Sequence, residues 1–139
     1  MVDVKFSTSL QIMLSLGVYA KQGEGLATSQ QLAAKLGTNP ALVRKLLIPL
    51  SRAGLVETFQ GKTGGVRIAK PPKEITLRDI YDASVDKTLA CARETGDADC
   101  PVGACMKTVF TNIVGGMEKA LGAHLETKTL QQVLNQAKL

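Results

Sequence analysis

Apolar residues recur three and four positions apart through most of this 139-residue chain and alternate with polar ones in one short stretch. Leu10, Met13, Leu14, Leu16, Val18 and Tyr19 predict a core helix over roughly residues 7 to 20, ended by Gly23 to Gly25. Leu32, Ala33 and Leu36 predict a second, shorter helix, capped by Thr28 or Ser29 and closed by Gly37, which can take the left-handed conformation. Asn39-Pro40 opens a third helix, because asparagine caps the free amides and proline at the first helical position loses no needed donor. That helix is expected to reach Ala53, with Gly54 as its stop. Its apolar face is Val43, Leu46, Leu47 and Leu50, which leaves Ala41, Arg44, Lys45 and Arg52 largely outside. Leu55 to Phe59 and Val66 to Ile68 then alternate like strands around the glycine-rich turn from Gln60 to Gly65.

Pro71-Pro72 breaks the pattern, and Thr76 with Asp79 forms a capping-box signature for a short helix through Leu77, Ile80 and Tyr81. Asp86 to Asp99 reads as a polar loop holding Cys91. From Pro101 a helix of roughly 20 to 24 residues, or about 30 to 36 Å, carries Val102, Met106, Val109, Phe110, Ile113, Met117 and Leu121. A last short helix starts near Leu130. The long helix has more apolar surface than an isolated extension tolerates, so Val109, Phe110, Ile113 and Met117 are assigned to a homodimer interface. Gly115-Gly116 at its middle lowers helix propensity, and either a close helix crossing or a local kink accounts for it.

The order of the pieces between residues 28 and 68 is that of a winged helix-turn-helix. The expected fold is therefore mainly α with a small β-hairpin wing, residues 1–73 forming the DNA-binding domain and 74–139 the cysteine loop and helical dimerisation region. Ser29, Asn39, Ala41, Arg44 and Lys45 on the helices, with Gln60, Lys62 and Thr63 on the wing, are the candidate DNA contacts. Charge points the same way: residues 1–73 hold ten Lys+Arg against Asp3, Glu24 and Glu57, a balance of +7, whereas residues 74–139 hold seven against nine. Clustered cations supply most non-specific DNA affinity. Aromatics are 4% with no tryptophan, which disfavours single-strand binding on stacked rings relative to double-stranded DNA. No apolar run approaches a membrane span and Met1 to Lys5 lack the features of a signal peptide, so a cytoplasmic protein without membrane contact is expected. An enzyme is not expected, because the single histidine has no acid at catalytic spacing to orient it.

The chain resembles the Rrf-two family of bacterial transcription regulators, which includes the IscR, NsrR, RirA and YwnA-like groups. The likeness is carried by Ala53-Gly54-Leu55-Val56, by Gly61-Lys62-Thr63-Gly64-Gly65, by Ile75-Thr76-Leu77, by cysteines before the long helix and by Thr129-Leu130. Cys100-Pro101-Val102-Gly103 looks most like the YwnA-like branch. The resemblance implies a homodimer joined through the long helix, presenting its recognition helices to a palindromic operator, with repression the favoured mode. Arg44 stands where cluster-binding relatives carry an acidic residue that reads cytosine; an arginine instead donates to guanine or phosphate. Gln60 replaces the arginine that often precedes the wing glycines, and Pro49 inside the recognition helix, at a typical cost of roughly 3 kcal/mol, predicts a kink near Lys45.

Cys91, Cys100 and Cys105 are the candidate sensors. Three thiolates can hold an iron-sulfur cluster if a fourth ligand is supplied, and the positions where relatives place one are Thr8 and Thr108 here. Zinc meets the same shortage. No cofactor is assigned firmly, and an iron-sulfur cluster on these cysteines stays open. A thiol redox or electrophile switch needs less, since a helix start stabilises a thiolate and Cys100 stands at one, potentially as its cap. The switch is favoured over the cluster, and both over incidental cysteines. A winged-helix interaction or architectural module without sensing is the remaining alternative. The lone His124 is expected at a helix end or on the surface.

Overall fold

The computed structural model describes residues 4–85 and 99–139. Helices α1 (Lys5–Lys21), α2 (Ser29–Leu36) and α3 (Pro40–Arg52) are followed by the hairpin β1 (Val56–Phe59) and β2 (Gly65–Ile68), a 3-10 turn (Pro72–Glu74), α4 (Leu77–Ser84), α5 (Pro101–Glu126) and α6 (Leu130–Gln136). The expected elements are all present, with shifted ends. Helix α5 has 26 residues, two beyond the upper expectation, and so extends about 39 Å. The hairpin is antiparallel, pairing Val56 with Ile68 and Phe59 with Gly65. Leu55, expected in the first strand, is instead a buried residue just before it.

Local chemistry explains most boundaries. Thr28, not Ser29, caps α2: its hydroxyl accepts from the Gln31 amide at 3.1 Å while the Gln31 side chain accepts from the Thr28 amide at 2.9 Å. Gly37 ends the helix at φ +69°. Thr76 with Asp79 and Thr129 with Gln132 build the same reciprocal cap on α4 and α6. Helix α3 runs unbroken through Pro49, which has no N–H to offer the Lys45 carbonyl.

Two backbone bridges fix the layout beyond what local signals require. Ala27 and Val66 exchange amide hydrogen bonds at 2.9 and 2.8 Å, stitching the segment before α2 to β2. Gly65 permits this approach, since a Cβ there would stand 2.7 Å from the Ala27 carbonyl oxygen. The Leu77 amide donates to Lys128 and the Leu130 amide to Ile75, which pins the start of α6 beside the start of α4. One hydrophobic cluster therefore joins Ile12, Leu16, Leu32, Val43 and Leu50 to Leu77, Ile80, Leu125, Leu130 and Leu134. Residues on both sides of position 73 share this core. Among the described residues no helix is long and apolar enough to cross a membrane.

Candidate nucleic-acid interface

The turn between α2 and α3 is short because Gly37 stops one helix and Asn39 starts the next, its side-chain oxygen accepting from the Leu42 amide at 2.9 Å. Asn39 thus commits one acceptor site of its oxygen to the helix and keeps both amide donors for a partner. With Thr28 acting as cap, the neighbouring Ser29 hydroxyl is left for another role. It accepts from Arg44 Nη1 at 3.2 Å, across the two helices. This contact brings together two sequence candidates, and it holds one arm of the Arg44 fork in place.

Burial divides α3 cleanly. Val43, Leu46, Leu47 and Leu50 enter the core, as their spacing predicts, and Ala41, Arg44, Lys45 and Arg52 are exposed. Ile48 belongs to the open face as well, 52% exposed, although its side chain is wholly apolar. The helical pattern contained this signal, because position 48 lies one turn beyond Arg44 and off the stripe of buried leucines.

On the wing, Gln60, Lys62 and Thr63 stand exposed at the tip, as expected of contact residues. Arg67 is different. Its Nε and Nη2 donate to one carboxylate oxygen of Glu57 at 3.1 and 2.8 Å, and its guanidinium lies 5.1 Å from the centre of the Phe59 ring. The cross-strand pair offsets the arginine's charge and leaves Lys62 as the cation at the wing tip.

Of the three cysteines, Cys91 lies outside the described residues. Cys100 occupies the N-cap position of α5, but its thiol makes no capping hydrogen bond, sulfur being a weak acceptor. The expectation that the thiol itself caps the helix is therefore corrected. Cys105, one turn inside the helix, is exposed, and its Sγ donates weakly to the Val102 carbonyl at 3.4 Å. Thr8, at a position where relatives carry a ligand, gives its hydroxyl to the Val4 carbonyl at 2.8 Å, and Thr108 is exposed. His124 is exposed in the last turn of α5.

Helix α5 has two unlike faces. Val114, Gly122 and Leu125 are buried within the chain, where Gly122 lies under the Arg78 guanidinium and Arg78 reaches Glu126 at 3.1 Å. Val102, Val109, Ile113 and Met117 are exposed, and Phe110 is half-buried. A Cβ added at Gly115 or Gly116 would meet nothing within 4 Å among the described residues outside the helix's own backbone.

The family model Rrf2, described as an iron-dependent transcriptional regulator, matches residues 2–136. The Rhizobium meliloti protein aau3 is 38% identical over 109 residues, which cover 77% of this chain and 67% of that protein. YwnA of Bacillus subtilis, named as an HTH-type transcriptional regulator, is 24% identical over 136 residues, 97% of this chain and 98% of YwnA. A crystal structure of a Lactobacillus plantarum protein, described as a transcriptional regulator, superposes with a TM-score of 0.84 at 22% identity, over 97% of this chain and 90% of the other.

Proposed function

Since the chain belongs to the Rrf2 family of transcriptional regulators, we propose that it binds a palindromic operator in the cytoplasm as a homodimer and represses transcription until its cysteines are oxidised or alkylated. It is a regulator and not an enzyme. The observation that carries the DNA-binding reading is the open face of α3, where Arg44 and Lys45 project and the Ser29 hydroxyl orients the arginine. In this reading Arg44 donates its fork to a guanine in the major groove, Ala41 lets the helix approach closely, and Asn39, Lys62 and Thr63 meet the sugar-phosphate backbone. Gln60 lies beside them at the wing tip. Residues 1–73 make the DNA contacts, and α5 joins the subunits through Val109, Phe110, Ile113 and Met117.

Sensing is assigned to Cys91, Cys100 and Cys105. Hydrogen peroxide accepts two electrons as its O–O bond breaks, two thiols give up their protons to the two waters that leave, and the sulfurs join in a disulfide. The exposed thiol of Cys105 and the uncommitted thiol of Cys100 support this reading. Such a bond at the start of α5 would shift the angle between recognition helices and spoil their match to successive major grooves. An iron-sulfur cluster is the second reading, favoured by the family's description as iron-dependent. The donor set fits three of its four ligand positions and not the fourth, because Thr8 and Thr108 carry neutral hydroxyls.

Anaerobic purification separates the two. A colourless protein whose DNA binding is lost with peroxide and recovered with a thiol reductant supports the switch, and Cys100→Ser then keeps DNA binding while losing the response. A brown protein with stoichiometric iron and sulfide, bleached by serine at any of the three cysteines, replaces the switch with the cluster.

A further inference from the structure

The open face of α3 holds one residue that phosphate chemistry does not account for. Ile48 is 52% exposed between Lys45 and Arg52, an apolar island on a basic surface. Scattered exposed aliphatics are ordinary on proteins, but this one occupies the face that the Ser29–Arg44 contact aims outward. A polyanionic partner attracted by Arg44, Lys45 and Arg52 would bring its own apolar groups against Ile48. In the major groove of double-stranded DNA the exposed apolar group is the 5-methyl of thymine.

We propose that Ile48 is a specificity-determining residue that packs on the methyl group of a thymine one or two base pairs from the base read by Arg44. The inference rests on the DNA-binding reading above and deepens it. Position 48 follows position 44 by about one helical turn, so the two side chains stand in one row about 6 Å apart along the axis. Stacked bases are about 3.4 Å apart, which converts that row into a separation of one or two steps. A β-branched side chain suits the role because its few rotamers hold the methyl groups in place without loss of freedom on binding. Ile48 carries no charge, so it adds sequence preference without changing the salt dependence that Lys45, Arg52 and Lys62 set.

The test uses the intact chain and an operator selected by it from random double-stranded DNA. Each thymine of the operator is then replaced in turn by deoxyuridine, which removes the methyl group and nothing else. At one thymine per half-site, one or two base pairs from an invariant guanine, uracil should weaken wild-type binding by about fourfold, the worth of one buried methyl group. Ile48→Ala should bind the thymine and uracil operators equally, Ile48→Val should keep part of the difference, and both should retain the wild-type salt slope. Arg44→Ala should lose the guanine preference and keep the uracil penalty. If wild type is indifferent to uracil at every position, or Ile48→Ala shows the same penalty as wild type, the assignment of Ile48 is wrong while the regulator reading stands. If no sequence is enriched at all, both fall together.

Discussion

Helices α3 and α5 each bury one face and leave the other open, and the open faces are chemical opposites. The first exposes Arg44, Lys45 and Arg52 around one isoleucine; the second exposes Val102, Val109, Ile113 and Met117 with glycines at its middle. A charged face is well solvated and waits for a partner without penalty. An apolar face exposed to water forgoes about 25 cal/mol for every Å² that could be covered. The same amphipathic logic therefore yields a surface that is vacant or occupied as conditions dictate on α3, and one that needs permanent cover on α5. In the proposed homodimer the second subunit's α5 supplies that cover.

The sharpest way to break the contrast is to place charge on the apolar face. Ile113→Asp would set two like carboxylates in the shared interface. Sedimentation should show monomers or aggregate, and operator affinity should fall by about a hundredfold or more because two half-sites are no longer held together. A wild-type chain that sediments as a monomer at micromolar concentration would remove the dimer reading.

Next in size is a change that touches neither open face. Leu134 on α6 is buried against α1, where a Cβ on Gly17 would stand 3.0 Å from its Cδ1. Leu134→Ala should lower unfolding free energy by roughly 2 to 5 kcal/mol in denaturant titrations. An unchanged midpoint would mean that α6 is not part of the core on which α3 is mounted.

On the charged face, Arg44→Ala should cost roughly 1 to 3 kcal/mol on the selected operator and relax preference at one base pair. Ser29→Ala should give a smaller loss confined to the same base pair, since its hydroxyl orients the fork rather than meeting the base. Binding of Arg44→Ala as tight as wild type would show that another element reads the sequence. The smallest effect belongs to the wing: Lys62→Ala should reduce the slope of log affinity against log salt by about 0.9 and weaken matched and scrambled DNA alike. A loss restricted to the matched operator would instead make Lys62 a base reader.

Much of this was legible in the chain because the signals are local. Asn39-Pro40, Thr76 with Asp79, Gly37 and the buried row Val43, Leu46, Leu47 and Leu50 act within one or two helical turns, so pattern and capping chemistry suffice to place them. The open positions Ala41, Arg44 and Lys45 followed as the remainder of that row. Ile48 shares that position, one turn beyond Arg44, but its apolar side chain marks it for the core and not for the open face. The stripe expected on α5 runs from Val102 to Leu121; the fold leaves Val109, Ile113 and Met117 open and packs Leu121 against the core, while the residues it buries, Val114 and Leu125, lie off that stripe.

The sequence by itself determined the helices, the wing, the basic face and the supply of cysteines, since each depends on residues close in the chain. Tertiary structure alone decided what joins across distance. It set the Ala27–Val66 bridge that seats the wing beside α2, the Leu77–Lys128 and Ile75–Leu130 bonds that fold α6 back into the core, and the Ser29–Arg44 contact that aims the fork. Pairings of this kind depend on which backbone edges and side chains meet after the chain has closed loops of tens of residues, and no local periodicity encodes them.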